Sequence, residues 1–231
     1  MNIVEIQNLS KSYGANHALK GVDLSIPTGK IVGLLGPNGS GKTTMIKILT
    51  GLLLDYSGEV LIESKKPGPE TSVLVSYLPD RPVLPVWLRV KDAMKMYKDF
   101  YADFDMDRAV KMLGSMGIDV NKKIKALSKG MNEKLQLTLT MSRRAKLYIL
   151  DEPIAAVDPA AREFIIDTIL KNFDSESAIL LSTHLISDIE SIIDYAIFLK
   201  EGEIILSEEA EAIRVREEKS IDHLFREVFK C

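Results

Sequence analysis

The sequence predicts an α/β fold: a mostly parallel core sheet, an antiparallel β patch at the N-terminus, and an all-helical insert. Three observations carry that prediction. The continuous apolar runs in "KIVGLLG", "AKLYILDEP" and "SAILLSTH" have the texture of strands buried on both faces, and helical text follows each of them. The first 28 residues instead alternate apolar with polar. Residues 80–145 place their apolar side chains at helical spacing.

Taken in order, "NIVEIQNL" puts Val4 and Ile6 on one face, and "HALKGVDLSIPTG" repeats the pattern at Leu19, Val22, Leu24 and Ile26. Both read as short strands joined by turns. "KIVGLLG" is a buried strand, "KTTMIKILTGLL" a helix, and "SGEVLIES" a strand after a Ser-Gly turn. "DRPVLPVWL" is too rich in proline for regular structure. Beyond it, Val90, Ala93, Met94, Tyr97 and Phe100 share one helical stripe, Met106, Val110, Leu113 and Met116 another, and Leu135 and Leu139 a third. The methionines are expected to pack a small helical core. "AKLYILDEP" then begins a second strand–helix alternation, with Asp158 as N-cap and Pro159 at the first position of "DPAAREFIIDTILKNF". "SAILLSTH" is a strand, "LISDIESII" a helix, "YAIFLKEGEIIL" a hairpin, and the charged tail a helix or two.

With 231 residues, 46% of them apolar, the chain can bury a large core. The expected layout is one domain over 1–231. Its core and antiparallel parts cover about 1–79 and 146–210, a helical subdomain about 80–145, and a helical tail about 211–231. Thirty basic against 33 acidic residues give a net charge of -3, which argues against a broad nucleic-acid surface. The only cysteine is Cys231, so no internal disulfide is expected. "MNIVEIQNLS" has no leader character, and no apolar run reaches the roughly 20 residues of a membrane span. A soluble cytoplasmic protein is expected, with any membrane role supplied by a partner.

Three motifs carry chemistry. "GPNGSGKTT" fits the phosphate-loop pattern, with Gly36, Pro37, Asn38, Gly39, Ser40, Gly41, Lys42, Thr43 and Thr44 between a buried strand and a helix. Its glycines let backbone N–H groups turn inward around a triphosphate at a helix N-terminus. Lys42 is placed to reach the terminal phosphates and the Thr43 hydroxyl to ligate Mg²⁺. "LYILDEP" delivers Asp151 to a strand's carboxyl end as a Mg²⁺ ligand, leaving Glu152 to accept a proton from an attacking water. His184 ends "AILLSTH", where a neutral imidazole suits the γ-phosphate or that water.

"GPNGSGKTT", "LSKGM", "LYILDEP", "VD" and "STH" occur in the order and spacing of ABC-type ATPase subunits, and the chain resembles that family from "VEIQNLSKSYG" to "LKEGEII". The resemblance implies a phosphate-loop NTPase fold with a helical insert and two ATP molecules, with Mg²⁺, sandwiched between two copies. It also implies that Tyr13 stacks on adenine, that Asp158 of "VD" joins the nucleotide-binding set, and that Ser128 and Gly130 of "LSKGM" serve the ATP held by the other copy. The family signature reads Leu-Ser-Gly-Gly-Gln; here Lys129 adds charge and Met131 removes an amide. A second departure is Asp80 of "SYLPDRP", which stands where the family has a glutamine that touches Mg²⁺ and senses the membrane partner. A carboxylate is a competent ligand for a hard cation, though it adds negative charge beside the triphosphate.

The leading reading is therefore an ATP-hydrolysing subunit on the cytoplasmic face of a membrane, dimerising with itself or a paralogue. It would power separate membrane-spanning chains attached near Asp80–Trp87 and is similar to the ATPases of small bacterial exporters. The alternatives are a soluble relative acting on ribosomes or DNA and a nucleotide-dependent regulator with little turnover. A GTPase would want Asn-Lys-x-Asp, and "NKKI" lacks the aspartate.

Overall fold

The computed structural model describes residues 1–155 and 159–229; Val157, Asp158 and Cys231 therefore lie outside the described residues. Two sheets build the molecule. The smaller is antiparallel, in the order β2 (Asn16–Pro27), β1 (Asn2–Tyr13), β4 (Ser57–Ile62). β1 and β2 are long strands of 12 residues rather than several short ones. Irregularities in their pairing fall beside Asn8 and Gly21, and both residues take positive φ.

The larger sheet runs β5 (Val75–Leu78), β6 (Leu147–Asp151), β7 (Ala178–Thr183), β3 (Ile31–Leu35), β8 (Tyr195–Lys200), β9 (Glu203–Glu209). All neighbours pair parallel except the β8–β9 hairpin. β3, β6 and β7 are buried at every position, because apolar layers cover both faces. The antiparallel sheet and α1 (Lys42–Leu49) pack on one face through Ile6, Leu24, Met45 and Ile46. On the other lie α6 (Pro159–Asn172), the single turn α7 (Ile186–Ile189), and the tail helices α8 (Ala210–Glu217) and α9 (Ile221–Phe229). A four-residue helix, α2 (Pro69–Ser72), precedes β5.

A separate apolar cluster joins α3 (Val90–Phe100), α4 (Met106–Ser115) and part of α5 (Lys129–Met141). α5 belongs to two cores, giving Leu135 and Leu139 to this cluster and Leu137 and Met141 to the sheet. Two stripe residues behave differently from expectation. Phe100 is 76% exposed and Val110 is also exposed. The chain leaves α3 just after Phe100, and Phe104 of the following turn fills the core against Tyr97 instead, ring centroids 5.7 Å apart. "LISDIESII" yields only the four residues of α7, after which the chain turns so that Asp194 can accept the Ile31 N–H at 2.8 Å.

Candidate functional site

β5, β6, β7 and β3 are four parallel neighbours, so their carboxyl ends open on one edge of the sheet. That edge carries Asp80 after β5, Asp151 and Glu152 at the end of β6, His184 after β7, and the Gly36–Thr44 loop after β3. A cavity of about 320 Å³ lies there, lined by Tyr13, Asn16, Ala18, Asn38, Gly39, Gly41, Lys42, Thr43, Thr44, Asp80, Asp151 and Glu152. Residues far apart in sequence are thus assembled as the motifs required. Asn16 and Ala18 were not foreseen. They accompany Tyr13 because the β1–β2 hairpin ends there, and the register slips between Lys11 and Ser12.

Two of the loop's three glycines are dictated by crowding. A Cβ on Gly36 would sit 2.3 Å from the Leu199 carbonyl oxygen, and one on Gly41, with φ +112°, 2.5 Å from that of Ala18. The β8–β9 hairpin tip props the loop from behind, the Gly202 N–H donating to the Ser40 carbonyl at 2.9 Å. No side chain caps the N-terminus of α1, so its first N–H groups keep their capacity for an anion. The Ser40 hydroxyl is buried without a partner in the same loop. The Lys42 ammonium folds back on the loop, donating to the Gly36 carbonyl at 2.6 Å and to that of Pro37 at 3.2 Å. Burial lowers its pKa, opposed by Glu152 and Asp151.

Facing this cation are three carboxylates. Asp151 is buried, and burial pushes its carboxyl above the usual range. A hydrogen bond from the Ser182 hydroxyl at 2.5 Å works against that, while Asp80 and Glu152 reinforce it. Glu152 takes a left-handed backbone, φ +50°, and its N–H donates to the Ser182 carbonyl at 3.0 Å. His184 does not line the cavity; its Nδ1 lies 3.0 Å from Glu152 Oε2. An ionised carboxylate can only accept, so Nδ1 carries the hydrogen and the imidazole orients Glu152. Arg81 lies 3.9 Å from Asp80. Ser128 caps α5, accepting the Met131 N–H at 3.2 Å, and neither it nor Gly130 lines the cavity. A larger hollow, about 1060 Å³ between α4 and the end of α6, contains none of the motif residues.

A strand-edge cavity with an anion-ready helix start, one buried lysine and a row of carboxylates defines a nucleoside-triphosphate site of the phosphate-loop class. The model for the ABC transporter family matches residues 19–155. The lantibiotic transport ATP-binding protein SrtF of Streptococcus pyogenes is 34% identical over 210 residues, 90% of this chain and 91% of that one. The SkfA peptide export ATP-binding protein SkfE of Bacillus subtilis is 30% identical over 211 residues, 89% and 88% of the two chains. Among solved structures, an ATP-binding subunit of an ABC transporter superimposes with a TM-score of 0.87 at 27% identity, covering 98% of this chain and 99% of its own. The chain belongs to the ABC transporter family, as an ATP-binding and ATP-hydrolysing subunit that powers transport by separate membrane-spanning partners. The ribosome- or DNA-acting and regulatory alternatives find no support among these relatives. Among the described residues no helix is long and apolar enough to cross a membrane.

Proposed function

We propose that the cavity holds ATP with Mg²⁺ in the arrangement the residues favour, and that a second copy of the chain or a paralogue completes it. Tyr13 receives the adenine. The α1 N-terminus, the loop N–H groups and Lys42 receive the phosphates. Thr43, Asp151 and Asp80 suit Mg²⁺: a hydroxyl and two carboxylates form a hard-oxygen donor set, and the buried charge of Asp151 gains a counter-ion. When bound, Mg²⁺ supplies charge neutralisation at the phosphate oxygens. Glu152, held by His184, accepts the proton of the attacking water. Asp158 is assigned to the same nucleotide.

The observation that carries the two-copy reading is that Ser128 and Gly130, at the start of α5, stand outside the cavity of their own chain. A hydroxyl and an open backbone N–H at a helix N-terminus suit the γ-phosphate of the other copy. The segment Asp80–Trp87 runs from the cavity to an exposed apolar stretch, with Val83, Val86 and Trp87 turned outward, and we assign it to the membrane-spanning partners. The chain then sits on the cytoplasmic membrane face without nucleic acid. Its working parts are a sheet core (about 1–79 and 146–210), a helical subdomain (about 80–145) and a tail (about 211–231). Relatives named for lantibiotic transport and for peptide export support a secreted peptide as the cargo.

The test is the solution mass of Glu152→Gln by light scattering, with and without Mg²⁺-ATP, alongside steady-state phosphate release. Retained ATP binding, loss of most turnover and an ATP-dependent doubling of mass are expected. ATP binding by a persistent monomer refutes the two-copy site, and near-normal turnover refutes Glu152 as the base.

A further inference from the structure

The ring assigned to the adenine is itself held from behind. Tyr13 is 48% exposed at the end of β1. The ammonium of Lys11, two residues earlier, lies over the ring, 5.1 Å from its centroid. Lys11 is unusual for a lysine in being only 7% exposed, and its ammonium is gripped by Asp55 at 2.7 Å, on the loop between α1 and β4. Asp55 is 94% exposed, so this ion pair adds little stability. Its effect is on position: it stations one cation against one face of one aromatic ring. That ring lines the nucleotide cavity, while Lys11 and Asp55 do not.

We propose that Lys11, anchored by Asp55, is a positioning residue that sets the affinity for the base of the nucleotide. The inference rests on the reading of Tyr13 as the base platform. A purine stacks productively only on a ring whose plane is already set, since an unrestrained ring loses rotational freedom on binding. A cation within about 6 Å of the centroid holds the ring through its quadrupole. A cation–π contact on a half-exposed ring of this kind changes affinity by a factor of roughly two to five. The contribution concerns the base alone, because the phosphates are held at the far end of the cavity by α1 and Lys42.

The experiment is calorimetric titration of the full chain with Mg²⁺-ATP and with Mg²⁺-tripolyphosphate, which lacks base and sugar. Lys11→Met keeps the apolar stem and removes the charge. It should weaken ATP roughly two- to fivefold and leave tripolyphosphate unchanged, and Lys11→Arg should restore ATP affinity. In a Tyr13→Ala background the same Lys11→Met change should have no effect on ATP. Asp55→Asn, at an exposed site that keeps the fold, should weaken ATP in the same direction and spare tripolyphosphate. Equal weakening of both ligands, unchanged ATP affinity, or persistence of the effect without Tyr13 would overturn the proposal. Failure of the wild-type chain to bind ATP would instead overturn the nucleotide site itself.

Discussion

Replacing Asp151 by asparagine should stabilise the nucleotide-free protein and destabilise the loaded one relative to wild type. The carboxylate is buried, with Asp80 and Glu152 adding negative charge, and only the Ser182 hydroxyl and Lys42 compensate. An amide keeps an acceptor for Ser182 and removes the buried charge. Relief of a cost carried for function is typically worth about 1 kcal/mol, which shifts Tm by about 2–4 °C in a chain of this length. The sign with pH follows from the raised carboxyl. Below the ordinary carboxylate range Asp151 is protonated folded and unfolded, so the variant has no advantage. The advantage grows as pH rises through the folded-state pKa and is complete above it.

Saturating Mg²⁺-ATP reverses the order. A ligand at 100 times its Kd stabilises the wild type by about 2.7 kcal/mol, whereas the amide, a far poorer Mg²⁺ ligand, forfeits most of that. Thermal melts of both proteins at neutral pH and near pH 4, with and without nucleotide, would show the crossing. An asparagine variant that melts below wild type without nucleotide at neutral pH, or that keeps the full nucleotide gain, would refute the reasoning.

Two further outcomes are expected. Arg143 is buried and donates to both Asp103 oxygens and to the Val73 and Val75 carbonyls, with its guanidinium 3.8 Å from the Tyr101 ring centroid. Arg143→Met should therefore cost about 3–5 kcal/mol in urea denaturation, and a cost below about 1 kcal/mol would contradict this. Gln136 accepts the Val83 N–H at 3.2 Å, so Gln136→Leu should speed hydrogen exchange at Val83 by roughly fivefold. Unchanged exchange would show that the contact does not hold the segment.

What the sequence disclosed depended on how local the signal was. β3, β6 and β7 were legible because strands buried on both faces leave unbroken apolar runs. The phosphate loop was legible because backbone crowding at Gly36 and Gly41 restricts residue type within one short string. Helical spacing was a weaker guide. It marked Val90, Ala93 and Met94 correctly, but Phe100 and Val110 lie at the edges of their stripes and face outward. The two N-terminal strands were expected to be short, yet each runs 12 residues because the pairing accommodates irregularities beside Asn8 and Gly21. Positioning residues left no local trace. Lys11 meets Asp55 across 44 positions, Arg143 meets Val73 across 70, and Ser182 meets Asp151 across 31. Only the folded sheet brings such pairs together.

Backbone contacts of the same long-range kind tie the approach to α5 to the segment proposed for the membrane partners. Val86 and Leu88 accept N–H groups from Lys125 and Ile124 at 2.9 and 2.8 Å, and Val90 and Lys91 donate to Lys122 and Val120 at 3.0 and 2.8 Å. Residues 86–91 and 120–125 therefore form one ribbon, and the second strip runs on directly into Ser128 and α5. Gln136 of α5 grips Val83, closing the ribbon from the other side. At its near end the segment begins at Asp80 in the chain's own cavity, and Arg143 ties the carbonyls of Val73 and Val75, at the start of β5, to Asp103 beside α4. Between them Pro79, Pro82 and Pro85 restrict the backbone, so the connection is a stiff strap rather than a loose tether. A flexible linker would absorb a displacement of Trp87. This strap joins Trp87 both to Asp80, in the chain's own cavity, and to Ser128 at the start of α5.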